Sequence, residues 1–182
     1  EISGFVRGTY GRYDQREVET AVNLGFEHFA FRGSFFYGAR DNYQTDVTTG
    51  DGYGERDVLN GRVRLSARPL ENLTVTLSGE WFDSEINGPG RSNLFLNVGG
   101  ADPAAAERAV LERDRDFIGV TNVATFPGAP ARGLFNDIET ETYMLTANLE
   151  TSFGEVAFIT GHRNVQGANL LDLDGSAFPA HF

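Results

Sequence analysis

The side chains best suited to binding chemistry in this sequence are charged and amide groups within segments of alternating polarity. Arg62 and Arg64 stand two residues apart in the run GRVRLSAR. Residues two apart on an extended strand point to the same side of a sheet, so an anionic ligand would suit the two guanidinium groups. The same polar parity in other segments holds Arg32, Glu80 and Asn148. These five residues are the candidate contacts on the strands, and their alternative role is to line a wet surface.

A second group of candidates lies in the polar, glycine-rich segment 42–58. Its aromatic and charged members are Tyr43, Asp51, Tyr53 and Arg56. Loops on a rigid scaffold often carry binding residues, and solvated loop tips with no ligand are the alternative explanation. These four residues are therefore loop candidates for ligand contact.

Catalysis, metal binding and cofactor binding have no support in the sequence. The chain has no cysteine, and its three histidines are scattered without the spacing of metal ligands. No Ser–His–Asp order or carboxylate pair stands out, and Gly50, Gly52 and Gly54 do not open a helix after a strand, as a phosphate cradle requires. We therefore expect no enzyme, no metal and no cofactor.

Charge and hydropathy exclude two further classes. The 182-residue chain has a net charge of −11, whereas binding to nucleic-acid phosphates requires clustered Lys and Arg. No run approaches the roughly 18 consecutive apolar residues of a transmembrane helix. Neither a nucleic-acid partner nor a membrane-spanning helix is expected.

The elements that position these residues are predicted from a period-two alternation, which is clearest between Leu59 and Phe82. Apolar residues alternate with polar ones on both sides of a break that contains Pro69, a pattern typical of an antiparallel hairpin. Matching the two runs predicts that Val63 lies opposite Leu77. Each run has about 9–11 residues, the length with which a tilted strand crosses a bilayer.

The same alternation recurs along the chain and predicts an all-β fold, an antiparallel meander of about seven long strands. The parity of the first and last strands stays open. Two long loops are expected at 42–58 and 83–137, and the second contains a short helix in ADPAAAERAVLERDRD, with Asp102 as its N-cap. The predicted strands lie near 1–13, 17–24, 29–41, 59–67, 73–82, 138–149 and 155–163.

The predicted connections alternate between short turns and long loops, with residues 14–16 as the exception. Bacterial outer-membrane barrels have short periplasmic turns and longer outer loops, so the pattern favours part of a larger transmembrane β-barrel. Alternation also describes one face of a soluble sheet packed on a core. A complete small structural or adhesive barrel and a soluble, lectin-like binding module therefore stay open as alternatives.

Three segments resemble TonB-dependent outer-membrane receptors in the first third of their barrel. They are GFVRGTYGRYDQREVETAVN from Gly4, GRVRLSARPLENLTVTLSGEWFD from Gly61, and FGEVAFITGHR from Phe153 with the following LDLDGS. The resemblance covers most of residues 4–82 and 138–176. It implies a fragment of a receptor whose barrel closes about 22 strands around a plug domain.

The function that this resemblance implies is TonB-energised uptake of a scarce nutrient such as a ferric siderophore, cobalamin or a glycan. The implied location is the bacterial outer membrane. Its lipid, the TonB complex acting through the missing N-terminal part, and a small-molecule or metal-chelate substrate would be the partners. Arg32, Arg62, Arg64, Glu80 and Asn148 would then face the lumen and contact either the plug or the substrate.

Overall fold

The computed structural model describes residues 1–45, 50, 52–88 and 135–170. Nine strands make up its regular secondary structure in those ranges, which contain no helix. The predicted helix after Asp102 and the candidate Asp51 lie outside the described residues. The strands are β1 Ile2–Gly11, β2 Gln15–Gly25, β3 Phe29–Arg40, β4 Gln44–Thr45, β5 Gly52–Tyr53, β6 Arg56–Leu70, β7 Leu73–Ile86, β8 Phe135–Thr151 and β9 Gly154–Leu170.

The seven long strands form one sheet in the order β1-β2-β3-β6-β7-β8-β9. Each long strand therefore lies beside the next long strand along the chain, and the registers of β1 with β2 and of β2 with β3 are antiparallel. The predicted all-β class and the antiparallel meander of about seven strands are confirmed. Strands β1 and β9 are the two edges of the described sheet.

Several observed strands are longer than the alternation predicts. Strand β6 continues through Pro69 to Leu70, and β8 and β9 meet at a turn formed by Ser152 and Phe153. Backbone pairing lengthens a strand wherever a neighbour offers hydrogen bonds, whatever the polarity of its side chains. Part of segment 42–58, predicted as loop, pairs as the small ladder β4-β5.

The described chain divides into two compact units. The first comprises 1–39, 57–84 and 138–167, and so contains most of the seven-stranded sheet. The second comprises 40–45, 50, 52–56, 85–88, 135–137 and 168–170 of the described residues, and contains the β4-β5 ladder.

Contacts between β6 and β7 correct the predicted pairing of this hairpin. Arg62 contacts Glu80, Ser66 contacts Thr76, and a Cβ atom built on Gly79 would lie 3.5 Å from Cγ2 of Val63. The expectation that Val63 lies opposite Leu77 is therefore wrong by two residues. A shift of two keeps every side chain on its face. Val63 and Leu77 indeed line one apolar depression.

The register also resolves the parity of the first strand. Val6 lies opposite Thr20, and Ile2 lies opposite Leu24. Directly opposed residues of an antiparallel pair share a face, so Ile2 and Val6 belong to the same face as Val18, Val22 and Leu24. We call this side the apolar face of the sheet, and the side that carries Arg32, Arg62 and Arg64 the polar face.

No second layer of the described chain covers the apolar face. Phe35 is 42% exposed, Leu77 52% and Val63 38%, whereas the buried apolar residues in the described ranges are only Ala21, Tyr53 and Val58. A soluble sheet of this length buries one apolar face against a helix or another sheet. Within the described ranges, the main sheet is thus a single layer with a hydrophobic surface.

The ends of the strands differ in how they are connected. The turns at 26–28, 71–72 and 152–153 are short and lie at one end of the sheet, which we call the short-turn end. There Arg68 donates its N–H to the carbonyl of His28 at 2.8 Å, and Glu150 donates its N–H to the carbonyl of Asn72 at 2.9 Å. Successive hairpins are therefore tied together at this end.

The opposite end, which we call the long-connection end, carries the turn at 12–14 and the connections 41–55 and 87–134. In the turn, Tyr13 and Asp14 have positive φ angles of 59° and 49°, a conformation that aspartate tolerates better than most residues.

Within the described residues, no helix is long and apolar enough to cross a membrane.

Candidate functional site

Arg32 is the centre of a hydrogen-bonded row on the polar face. Ser3 pairs with Asn23, and Asn23 pairs with Arg32, in the registers of β1, β2 and β3. The guanidinium of Arg32 donates to Oδ1 of Asn23 at 2.7 Å, and Nδ2 of Asn23 donates to Oγ of Ser3 at 3.2 Å. This chain of bonds fixes the direction of the Arg32 side chain while leaving it exposed.

An open depression of about 300 Å³ on the polar face brings Arg32 and Arg64 together. Its other polar lining residues are Ser3, Asn23, Ser66 and the acidic Glu1. Two guanidinium groups with hydroxyl and amide neighbours suit a carboxylate or another anion, because the charged donors bind bidentately and the neutral groups complete the hydrogen bonds. The depression is the strongest candidate binding site on the strands.

Arg62 has a different environment from Arg64, although the two share a face. Its guanidinium lies 2.8 Å from a carboxylate oxygen of Glu80, and the two side chains are 58% and 35% exposed. The ion pair joins β6 to β7 and offsets the charge of Arg62. The sequence therefore grouped Arg62 with Arg64, whereas the structure places Arg64 with Arg32 and Arg62 with Glu80.

The fifth strand candidate, Asn148, is half-buried in β8. Strand alternation puts it on the side of Met144, and a Cβ atom built on Gly161 of β9 would lie 3.7 Å from Cβ of Met144. It lies outside the depression that holds Arg32 and Arg64.

Sequence reasoning missed a second ion pair on the polar face. Arg7 of β1 lies 3.0 Å from Glu19 of β2, and the two residues are directly opposed in the register. The sequence contains the opposite charges of Arg7 and Glu19 at alternating positions. They could not be assigned to one face while the parity of β1 was open. Cross-strand ion pairs therefore recur along this face.

The loop candidates Tyr43 and Tyr53 belong to a small structured unit. The guanidinium carbon of Arg40 lies 4.5 Å from the centre of the Tyr43 ring, a cation–π distance, and Nη2 of Arg40 donates to the carbonyl of Gly54 at 3.1 Å. Tyr53 is 7% exposed, and its carbonyl accepts the N–H of Tyr43 at 3.0 Å. Both tyrosines are thus held within this unit.

Asn87 ties the same unit together. Its side-chain nitrogen donates to Oδ1 of Asn42 at 3.1 Å and to the carbonyl of Gly52 at 3.0 Å. Its backbone N–H donates to the carbonyl of Glu55, and its carbonyl accepts the N–H of Gly54. The remaining loop candidate, Arg56, is half-buried at the start of β6.

The described residues contain no group of three or more His, Asp or Glu side chains that could hold a metal ion. The described part of the polar face offers hydrogen bonding and charge pairing by arginine.

Comparison with known proteins adds no identity to this description. No family model, no curated protein and no solved structure matches the chain.

Proposed function

We propose that this chain is part of the wall of a bacterial outer-membrane β-barrel, in a receptor for TonB-energised uptake of a scarce nutrient. The observation that carries the proposal is the single-layer sheet with an uncovered apolar face and a polar face rich in paired charges. Lipid chains can cover an apolar surface of this size, whereas soluble monomers rarely expose contiguous apolar patches above a few hundred Å².

The lengths of the connections support an oriented barrel wall. The short-turn end has three tight turns, and the long-connection end carries both extended connections, 41–55 and 87–134. Outer-membrane barrels place short turns on the periplasmic side and longer loops outside the cell. The long-connection end is accordingly assigned to the cell exterior, where it would help capture the substrate.

The polar face would then line the lumen. This face carries the depression lined by Arg32 and Arg64. It also carries the Arg62–Glu80 and Arg7–Glu19 ion pairs. In the resembled receptors the lumen contains a plug domain, so the depression would accept either a carboxylate of the plug or an anionic group of the substrate. The described sheet would supply part of the wall, because a barrel of that type closes about 22 strands.

The alternatives differ in what covers the apolar face. A lectin-like soluble module would bury Val63, Leu77 and Phe35 under a second layer, and these residues are exposed here. A complete small barrel would need at least about eight strands and a pairing between its first and last strands. Strands β1 and β9 are instead the edges of the described sheet.

The decisive test is uptake of labelled nutrients by cells that express the receptor containing this chain, with and without TonB. Ferric siderophores, cobalamin and oligosaccharides are the substrates to screen. We expect uptake of one of them to fall to background without TonB. Equal uptake in both strains would contradict energised transport, and recovery of the protein from the soluble fraction would contradict the membrane assignment.

A further inference from the structure

A line of aromatic side chains crosses the apolar face of the main sheet. Tyr10 on β1, Tyr37 on β3, Trp81 on β7 and Tyr143 on β8 all belong to this face, and we call them the aromatic line. Tyr10, Trp81 and Tyr143 are exposed, and Tyr37 is half-buried.

The polar atoms of the aromatic line are held by hydrogen bonds. The hydroxyl of Tyr10 donates to Asp14 at 3.1 Å, and the hydroxyl of Tyr37 donates to Asp57 at 3.2 Å. Both partners lie towards the long-connection end. Trp81 donates its ring N–H to the hydroxyl of Tyr143 at 3.1 Å, with the two rings edge to face.

The aromatic line is also the boundary between apolar and charged residues on this face. Towards the short-turn end lie Val22, Val63 and Leu77. Towards the long-connection end, the next residues of the same parity are charged on four of the five strands from β2 to β8, and β3 has Ala39 there. The charged residues are Arg16 on β2, Asp57 on β6, Asp83 on β7 and Glu141 on β8.

The first step of the line across the sheet comes from the strand registers. Tyr10 lies opposite Arg16, which lies opposite Ala39. A same-face position is a step of two residues along a strand. Tyr37 precedes Ala39 by two residues on β3, so it lies one same-face position nearer the short-turn end than Tyr10.

The second and third steps come from contacts of the rings. The N–H of Arg68 bonds to the carbonyl of His28, which in antiparallel pairing places Phe35 opposite Gly61. A Cβ atom on Gly61 would lie 3.5 Å from the Trp81 ring, so Trp81 is level with Phe35, one same-face position below Tyr37. A Cβ atom on Gly79 would lie 3.6 Å from the Tyr143 ring, and Gly79 is one same-face position below Trp81. Each aromatic residue thus lies one position nearer the short-turn end than the preceding one.

The regular displacement of the four aromatic residues along the strands gives the angle between the aromatic line and the perpendicular of the strands. A same-face position spans about 6.6 Å along a strand, so three steps amount to about 20 Å, and the five strand spacings from β1 to β8 amount to about 24 Å. The line therefore runs at about 40° to the perpendicular of the strands. Strands of outer-membrane barrels tilt by about 35–45° from the membrane normal.

We propose that the aromatic line docks in the headgroup region of the outer leaflet and lies level with the membrane plane. This proposal rests on the membrane-spanning role proposed above and adds which residues meet the interface and how the strands are tilted. Tyrosine and tryptophan favour this region because their rings are apolar and their O–H and N–H groups are polar. The hydrogen bonds to Asp14 and Asp57 keep the hydroxyls of Tyr10 and Tyr37 on the watery side.

The test measures the depth of nitroxide labels in the receptor that contains this chain, reconstituted in liposomes. Labels on single cysteines replacing Tyr10, Tyr37 and Tyr143 report the aromatic line, and Val63→Cys reports the middle of the apolar face. Accessibility to oxygen and to a water-soluble nickel chelate gives each depth. Thr76→Cys, on the polar face, is the control for water in the lumen.

We expect the three line labels to lie at one depth, within about 4 Å, and the Val63→Cys label to lie about 10 Å deeper. A difference of about 10 Å or more between the Tyr10→Cys and Tyr143→Cys depths, with Val63→Cys still deep, would overturn the level line and leave the membrane role intact. Water-like accessibility at Val63→Cys would overturn both proposals.

A second measurement keeps the proposal testable if the tyrosine variants do not assemble. Trp81 is the one tryptophan of this chain, so the fluorescence lost in Trp81→Phe isolates its signal in the receptor. We expect lipids brominated near the headgroup to quench that signal about twofold more than lipids brominated near the chain end. Stronger quenching by the deeper bromines would overturn the interface position of Trp81.

Discussion

At the scale of single residues, the contribution of the polar face to the free energy of unfolding can be measured at the Arg62–Glu80 ion pair. Both side chains are partly exposed, and exposed pairs typically contribute about 0.2–1 kcal/mol. We expect a double-mutant cycle of Arg62→Ala and Glu80→Gln, measured by urea unfolding, to give a coupling energy in that range. Arg64→Ala combined with Glu80→Gln is the matched control and should show no coupling. Equal coupling in both cycles would contradict the specific pairing.

Gly54 carries the second prediction at this scale. It has a φ of +85°, and a Cβ atom there would overlap the ring of Tyr43, which lies against Arg40. We expect Gly54→Ala to open the β4-β5 ladder, seen as faster hydrogen exchange of the Tyr43 N–H that bonds to Tyr53. The physical reason is a steric clash added to the roughly 1 kcal/mol cost of a left-handed alanine.

Gly50 provides the matched control for this change. Its φ is +79°, but a Cβ atom there would meet nothing within 4 Å among the described residues. Gly50→Ala therefore carries the backbone cost without the clash, and it should leave the exchange of Tyr43 nearly unchanged. If both variants accelerated exchange equally, the contact with Tyr43 would not be the cause.

At the scale of elements, the β6-β7 register can be tested by cross-linking. The chain has no native cysteine, so introduced pairs report their own proximity. We expect Val63→Cys with Gly79→Cys to form a disulfide readily, because opposed residues bring their Cβ atoms within about 4.5–5.5 Å. Val63→Cys with Leu77→Cys should cross-link at least about tenfold more slowly, since diagonal Cβ atoms lie further apart. The reverse order would restore the pairing predicted from the sequence.

These elements also show which part of the fold the sequence can predict. Alternation predicts the strands and their faces because burial or lipid contact acts on every second residue. It does not predict register, since a shift of two residues preserves every face. Pro69 suggested an earlier turn, whereas the chain turns at Glu71 and Asn72.

The candidate site was only partly predictable for the same reason. Arg62 and Arg64 were identified by parity, but the partner of each depends on register, which places Glu80 beside Arg62. The β4-β5 ladder was missed because two-residue strands are too short to alternate. The aromatic line is invisible in the sequence, because it follows contacts across strands that are distant along the chain.

At the scale of the whole molecule, the proposed function predicts that the long connection between β7 and β8 contributes to substrate capture and is not needed for assembly of the barrel. It leaves β7 at Ile86 and enters β8 at Phe135, so deleting residues 91–130 removes neither strand. We expect this deletion to weaken substrate binding by at least about tenfold, equivalent to about 1.4 kcal/mol. The protein should still assemble in the outer membrane, since loops tolerate change better than paired strands do.

The matched comparison for this deletion is Arg62→Ala, which alters the polar face, the proposed lumen wall, and leaves the long connections intact. Because Arg62 is already paired with Glu80, we expect it to change binding less than the deletion does. Binding to whole cells, with outer-membrane assembly followed by surface protease accessibility, measures both effects. Unchanged binding after the deletion, together with a large loss in Arg62→Ala, would move recognition from the outer connections to the polar wall.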